Sequence, residues 1–127
     1  MLAEADKAAP LEACGLLLGT RTAEGWRVER IVPTANVHAH PARFFEIDPA
    51  ALIAAHRAAR SGGAQVLGCY HSHPSGRAWP SAADAAAAAG DRSVWAIIAG
   101  GEIRFYRSDP DGFRPLAYVL SLPARPS

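Results

Sequence analysis

The stretch "YHSHPSGRAWPSAAD", residues 70–84, concentrates the side chains able to do chemistry. "QVLGCYHSH" reads as an apolar strand emerging into polar residues. Strand residues two apart share a face, so His71 and His73 present both imidazoles together while Ser72 points away. Pro74, Gly76 and Pro80 turn the chain back, and Ser81 with Asp84 reads as a capping box with aspartate in the glutamate position. That brings a carboxylate towards the strand end. Two histidines and a carboxylate are three protein ligands for one Zn²⁺, leaving the fourth tetrahedral position for water, the composition of a catalytic site. Locally each feature has a plainer reading: H-x-H is common in surface turns, Ser81 suits an ordinary N-cap and Asp84 an ordinary first-turn acid. Only their combination speaks for a metal. Cys69, two before His71 on the same face, offers a Cys-His-His alternative, set against burial as a small apolar side chain.

The elements that must position these groups can be read in chain order. "CGLLLGT" reads as a buried strand, and "GWRVERIVP" alternates as a half-exposed one, together a hairpin. "RFFEI" is expected to be a third short strand. Asp48 and Pro49 mark the start of a helix, "PAALIAAHRAAR", closed by Gly62 and Gly63. "PSAADAAAAAG" predicts a helix running to Gly90. "SVWAIIAG", "EIRFYRS" and "FRPLAYVL" predict three closing strands with turns at "GG" and "DPDG". The expected fold class is α/β, a mixed and mostly antiparallel sheet flanked by helices, in one domain over 1–127.

A chain of 127 residues suffices for a single core without disulfides. Half its residues are apolar, 20% are charged and the net charge is only +1, so composition supports neither disorder nor nucleic-acid binding. No apolar run suits a membrane span and the N-terminus lacks a secretory layout, so a cytoplasmic protein with reduced Cys14 and Cys69 is expected. His38 and His40 form a second H-x-H, but no carboxylate follows at a useful spacing, so a loop with His38 as a substrate contact is the better reading. Trp79 suits either a cleft wall or a core anchor. His56 reads as an exposed helical residue, Cys14 and Trp95 as core, and Trp26 as the apolar face of its hairpin.

"HSHPSGRAWPSAAD" resembles the H-x-H-P, six residues, S-x-x-D signature of the JAMM (MPN-plus) zinc metalloproteases, with every fixed position filled. "PLEACGLLLG" is similar to the family's upstream element, which places its glutamate at Glu12. The resemblance implies a compact MPN domain of cytidine-deaminase-like architecture, although the deaminase signature itself is missing. It implies His71, His73 and Asp84 as ligands of one Zn²⁺, Glu12 as the proton-handling catalytic residue and Ser81 as oxyanion donor. The implied activity is isopeptidase or peptidase cleavage after the C-terminal tail of a ubiquitin-like or sulfur-carrier protein. Between "LLLGT" and "FFEI" there is room for little beyond a hairpin and a loop, so selectivity among poly-ubiquitin linkages is not expected. The family's usual first strand is not evident before "PLEACG", which predicts an uncovered sheet edge, closed by substrate or in a homodimer. Two other readings stand beside this one: a non-catalytic ubiquitin-fold binding module, and a zinc hydrolase of another substrate class.

Overall fold

The structure, a computed structural model, describes residues 1–119. Three helices and six strands follow in the order α1 (Leu2–Ala8), β1 (Cys14–Thr22), β2 (Gly25–Thr34), α2 (Pro49–Arg60), β3 (Gln65–Ser72), α3 (Ala82–Ala87), β4 (Val94–Ala99), β5 (Glu102–Asp109) and β6 (Gly112–Leu116). The strands form one sheet in the order β2-β1-β3-β4-β5-β6, with β3 and β4 parallel and every other pair antiparallel. Among the described residues no helix is long and apolar enough to cross a membrane.

The sheet separates two apolar layers. One gathers Leu17, Tyr70, Ala96 and Ile98 under Met1 and Ala5 of the α1 segment. The Glu4 carboxylate, accepting from the Tyr70 hydroxyl, fastens α1 there. The other layer gathers Trp95, Ile97 and Tyr106 with Phe45, Cys69 and Ala88. β3 and β4 approach so closely that a Cβ on Gly68 would lie 1.7 Å from the Val94 carbonyl oxygen, which is why this position carries glycine.

The hairpin, α2 and the turn at Gly100 and Gly101 form as the sequence predicts, and both turn glycines have positive φ. Asp48 caps α2 by accepting from the Ala50 N–H. Three expectations are corrected. "RFFEI" is no strand: only Ile47 makes an isolated bridge, to Asn36, because a side chain captures the neighbouring main-chain groups. The alanine helix ends at Ala87 rather than reaching Gly90, and Ala88 turns extended to pack on the Trp95 layer. β6 stops at Leu116, and Leu120, the end of the expected strand, lies outside the described residues. β1, which follows Glu12, is internal, and among the described residues the sheet edges are β2 and β6. Cys14 and Cys69 are both free.

Candidate active site

The site lies at the C-terminal end of β3, where the strand leaves the sheet between β1 and β4. The His73 N–H continues the ladder to the Ile98 carbonyl at 2.8 Å, and the Ser72 N–H donates to the Ala13 carbonyl at 3.0 Å. The buried Ser72 hydroxyl oxygen also accepts the Ala13 N–H at 2.8 Å. This second bond ties the residue after Glu12 to the strand tip that carries both histidines. It is the physical meaning of Ser72 pointing away from them.

From the opposite side, α3 presents Asp84. The Ser81 hydroxyl oxygen accepts the Asp84 N–H at 3.1 Å, and the Asp84 carboxylate accepts the Ser81 N–H at 2.9 Å. The capping box therefore holds Asp84 in the first turn, and its carboxylate faces the strand. Its Oδ1 lies 2.9 Å from His71 Nε2 and its Oδ2 lies 3.0 Å from His73 Nε2, while the two Nε2 atoms are 3.0 Å apart.

This cluster tests whether a cation belongs among the three groups. The Nδ1–H of His73 is committed to the Arg77 carbonyl at 2.8 Å, so in the neutral imidazole Nε2 bears a lone pair. That lone pair faces a carboxylate oxygen and a second imidazole nitrogen. Three electron-rich atoms this close need a proton or a metal between them. Neighbouring ligands of tetrahedral Zn²⁺ sit about 3.3 Å apart given bonds near 2.05 Å, so the spacing matches a metal after a small expansion. The residues present fit such an ion.

The electrostatics divide the groups into roles. Burial opposes the charge on Asp84, but bonds from His71 and His73 overcome it and hold the carboxyl below its usual range. Burial lowers His71, which favours its neutral, ligating form. Burial also works against His73, yet the Asp84 carboxylate and the Arg77 carbonyl raise it above its usual value. His71 is wholly buried: Phe45 stacks on its ring at 4.1 Å and Trp95 meets it edge-on at 5.7 Å. Its Nδ1 has no protein partner among the described residues.

Glu12 is the second carboxylate. Only 6% exposed, it has a ligand atom within 4.8 Å of those of His71 and His73. Burial raises its pKa to about 7, against a lowering by His73 and a further rise from Asp84. The folded chain therefore binds more protons than the unfolded chain between pH 4.5 and 7, so this group withdraws stability as pH rises through that window. For metal-free protein, Glu12→Gln is expected to gain on wild type progressively from pH 4.5 to 7 and to level off above, by about 3 kcal/mol at most. Thermal melts of both proteins across that range check it; a constant gap would contradict the assignment.

A cleft of about 310 Å³ opens over these groups, lined by Glu12, Arg43, His73, Arg77, Trp79 and Ser81 among others. Trp79 is exposed with the Arg77 guanidinium 4.9 Å from its ring centre, so it walls the cleft instead of anchoring the core. Sequence reasoning brought together five residues that the fold also brings together: Glu12, His71, His73, Ser81 and Asp84. His38 stands apart, stacked on Phe44 at 4.8 Å with its Nδ1 accepting the His40 N–H, outside the cleft lining. Cys69 packs in the Trp95 layer, and burial raises its thiol far above the usual range. His56 is exposed on α2. Ser72 and Phe45 were missed as supports, since a bond across 59 residues and a ring stack leave no local pattern.

The chain is similar to several known proteins. The chain is 43% identical over 76 residues, 60% of its length, to the "Probable TtuB-protein conjugate cleaving protease" of Thermus thermophilus, of which the match spans 48%. It is 34% identical over 112 residues to the desampylase of Haloferax volcanii, covering 87% of this chain and 79% of that one. A solution structure of a Desulfitobacterium hafniense protein superposes with a TM-score of 0.83 at 35% identity, over 95% of this chain and 86% of that chain. One from Salinibacter ruber gives 0.64 at 32%, over 99% and 88%. Residues 1–109 match the family described as prokaryotic homologs of the JAB domain, and to that family this chain belongs.

Proposed function

We propose that this protein is a zinc-dependent peptidase or isopeptidase that hydrolyses the bond following the C-terminal tail of a ubiquitin-like or sulfur-carrier protein. The observation that carries the reading is the meeting of His71 Nε2, His73 Nε2 and the Asp84 carboxylate within 3.0 Å of one another, with Glu12 beside them. Two relatives bearing names for cleaving TtuB-protein conjugates and for desampylation supply the substrate class.

His71, His73 and Asp84 would hold one Zn²⁺. When bound, the ion supplies a Lewis acid for the scissile carbonyl and lowers the pKa of its water to about 7. Glu12 accepts the proton of the attacking water and returns it to the departing amine; in the metal-free chain burial raises its pKa to about 7, which favours its taking up a proton near neutral pH. Ser81 caps α3 by accepting the Asp84 N–H through its oxygen, which leaves the hydroxyl proton free to donate to the developing oxyanion. Capping and catalysis use different parts of one hydroxyl. Trp79 and Arg77 form a wall along which an extended tail can lie.

Metal analysis combined with a cleavage assay tests the reading. Purified protein is expected to carry one zinc per chain and to release the extension from a ubiquitin-fold protein bearing one at its C-terminus. Treatment with a chelator should abolish release and added zinc restore it. Zinc without cleavage of any ubiquitin-fold substrate would favour the binding-module reading instead.

A further inference from the structure

The loop between β2 and α2, residues 35–48, contains the strand-like stretch "RFFEI", and a single side chain organises it. Asn36 uses all four of its hydrogen-bonding valences. Its Nδ2 donates to the Glu12 carbonyl and to the Phe44 carbonyl, each at 3.0 Å, and its Oδ1 accepts the His38 and Glu46 N–H groups, each at 3.1 Å. Both targets of Nδ2 are carbonyls and both sources for Oδ1 are N–H groups, so the orientation of the amide is fixed.

Two ends of this network reach the site. Phe44 and Glu46 flank Phe45, whose ring lies on His71 at 4.1 Å. At the other end the loop grips Glu12 from both sides of its backbone: the Pro41 carbonyl accepts the Glu12 N–H at 2.8 Å, and Asn36 takes its carbonyl. Among the described residues His71 Nδ1 has no hydrogen-bond partner to orient its ring, and the Phe45 stack takes the part that such a bond ordinarily plays.

We propose that Asn36 is a positioning residue that couples the placement of Glu12 to the aromatic platform under His71. One amide thereby sets the separation between the proton-handling carboxylate and the metal-binding cluster, an inference resting on the peptidase reading for its catalytic half.

Asn36→Asp and Asn36→Ala separate the two halves. The aspartate keeps both acceptor bonds, to His38 and Glu46, and loses both donor bonds, so the Phe45 segment keeps its anchor at Glu46 and loses the one at Phe44, while the Glu12 carbonyl is released. Zinc affinity, measured by competition with a chromophoric chelator, is expected to stay within about threefold of wild type in Asn36→Asp and to weaken about tenfold in Asn36→Ala. With saturating zinc, kcat is expected to fall at least about tenfold in both variants at unchanged KM, since small misplacements of a reacting group are costly. Wild-type kcat in Asn36→Asp, or wild-type zinc affinity in Asn36→Ala, would overturn the proposal. So would loss of a cooperative melt in both variants, which would make Asn36 a determinant of folding alone. If wild type cleaves no substrate tried, the zinc comparison still decides: Asn36→Ala binding more weakly than both wild type and Asn36→Asp supports the coupling, and equal affinities refute it.

Discussion

Replacing Glu12 with glutamine is expected to lower kcat for tail cleavage by about 10²–10⁴-fold while one zinc per chain is retained, because the loss is that of a general base. The size follows from what the variant keeps. Glutamine has nearly the same shape, and the backbone of residue 12 stays pinned by Pro41, Asn36 and, through Ala13, Ser72. It can still hydrogen-bond a water but cannot take its proton. The metal cluster loses no directly bonded group, since Asp84 and not Glu12 bonds both imidazoles. KM should therefore move little. Single-turnover cleavage, paired with metal analysis of the same preparation, checks the pair of outcomes. Full activity in the variant would remove Glu12 from the chemistry.

The parts of this site legible in the sequence are those fixed by short-range geometry. Strand periodicity alone aims His71 and His73 together, and a capping box needs only Ser81 and Asp84 three residues apart. Asp48 and Pro49 announce α2 in the same way. What stayed hidden depends on partners distant in the chain. "RFFEI" has a strand's composition, but the carbonyl of Phe44 and the N–H of Glu46, which a ladder would need, are taken by the Asn36 amide 8 and 10 residues away. The result is an irregular loop with Phe45 turned onto His71. The alanine run has helix propensity as far as Gly90, yet Ala88 gives up helical geometry to pack in the Trp95 layer; burial overrode a preference worth only tenths of a kcal/mol per residue. The position of Glu12 belongs to both classes. Its neighbourhood to a buried strand is local, whereas its distance from the histidines is set by bonds to residues 36, 41 and 72.

Two carboxylates flank the histidine pair, and Asp84→Asn decides which of them is the ligand. The variant is expected to bind no stoichiometric zinc at micromolar concentration and to show no cleavage, with its fold retained. An asparagine Oδ1 can still accept the Ser81 N–H, and its amide can donate to a neutral imidazole, so the start of α3 survives. What it cannot supply is the negative charge that two imidazoles and a dication require. Stability gives an independent readout. Zinc at a hundredfold its Kd should stabilise wild type by about 2.7 kcal/mol, several degrees in Tm for a domain of this size, and should leave the variant's melt unchanged. The opposite pattern, zinc retained in Asp84→Asn and lost in Glu12→Gln, would make Glu12 the third ligand, an arrangement its 4.8 Å proximity to both histidines permits. The electrostatics argue against that exchange. Asp84 is held ionised by the groups it touches, whereas burial keeps Glu12 half protonated near neutrality, and a ligand that must first lose a proton binds metal less well than one already charged.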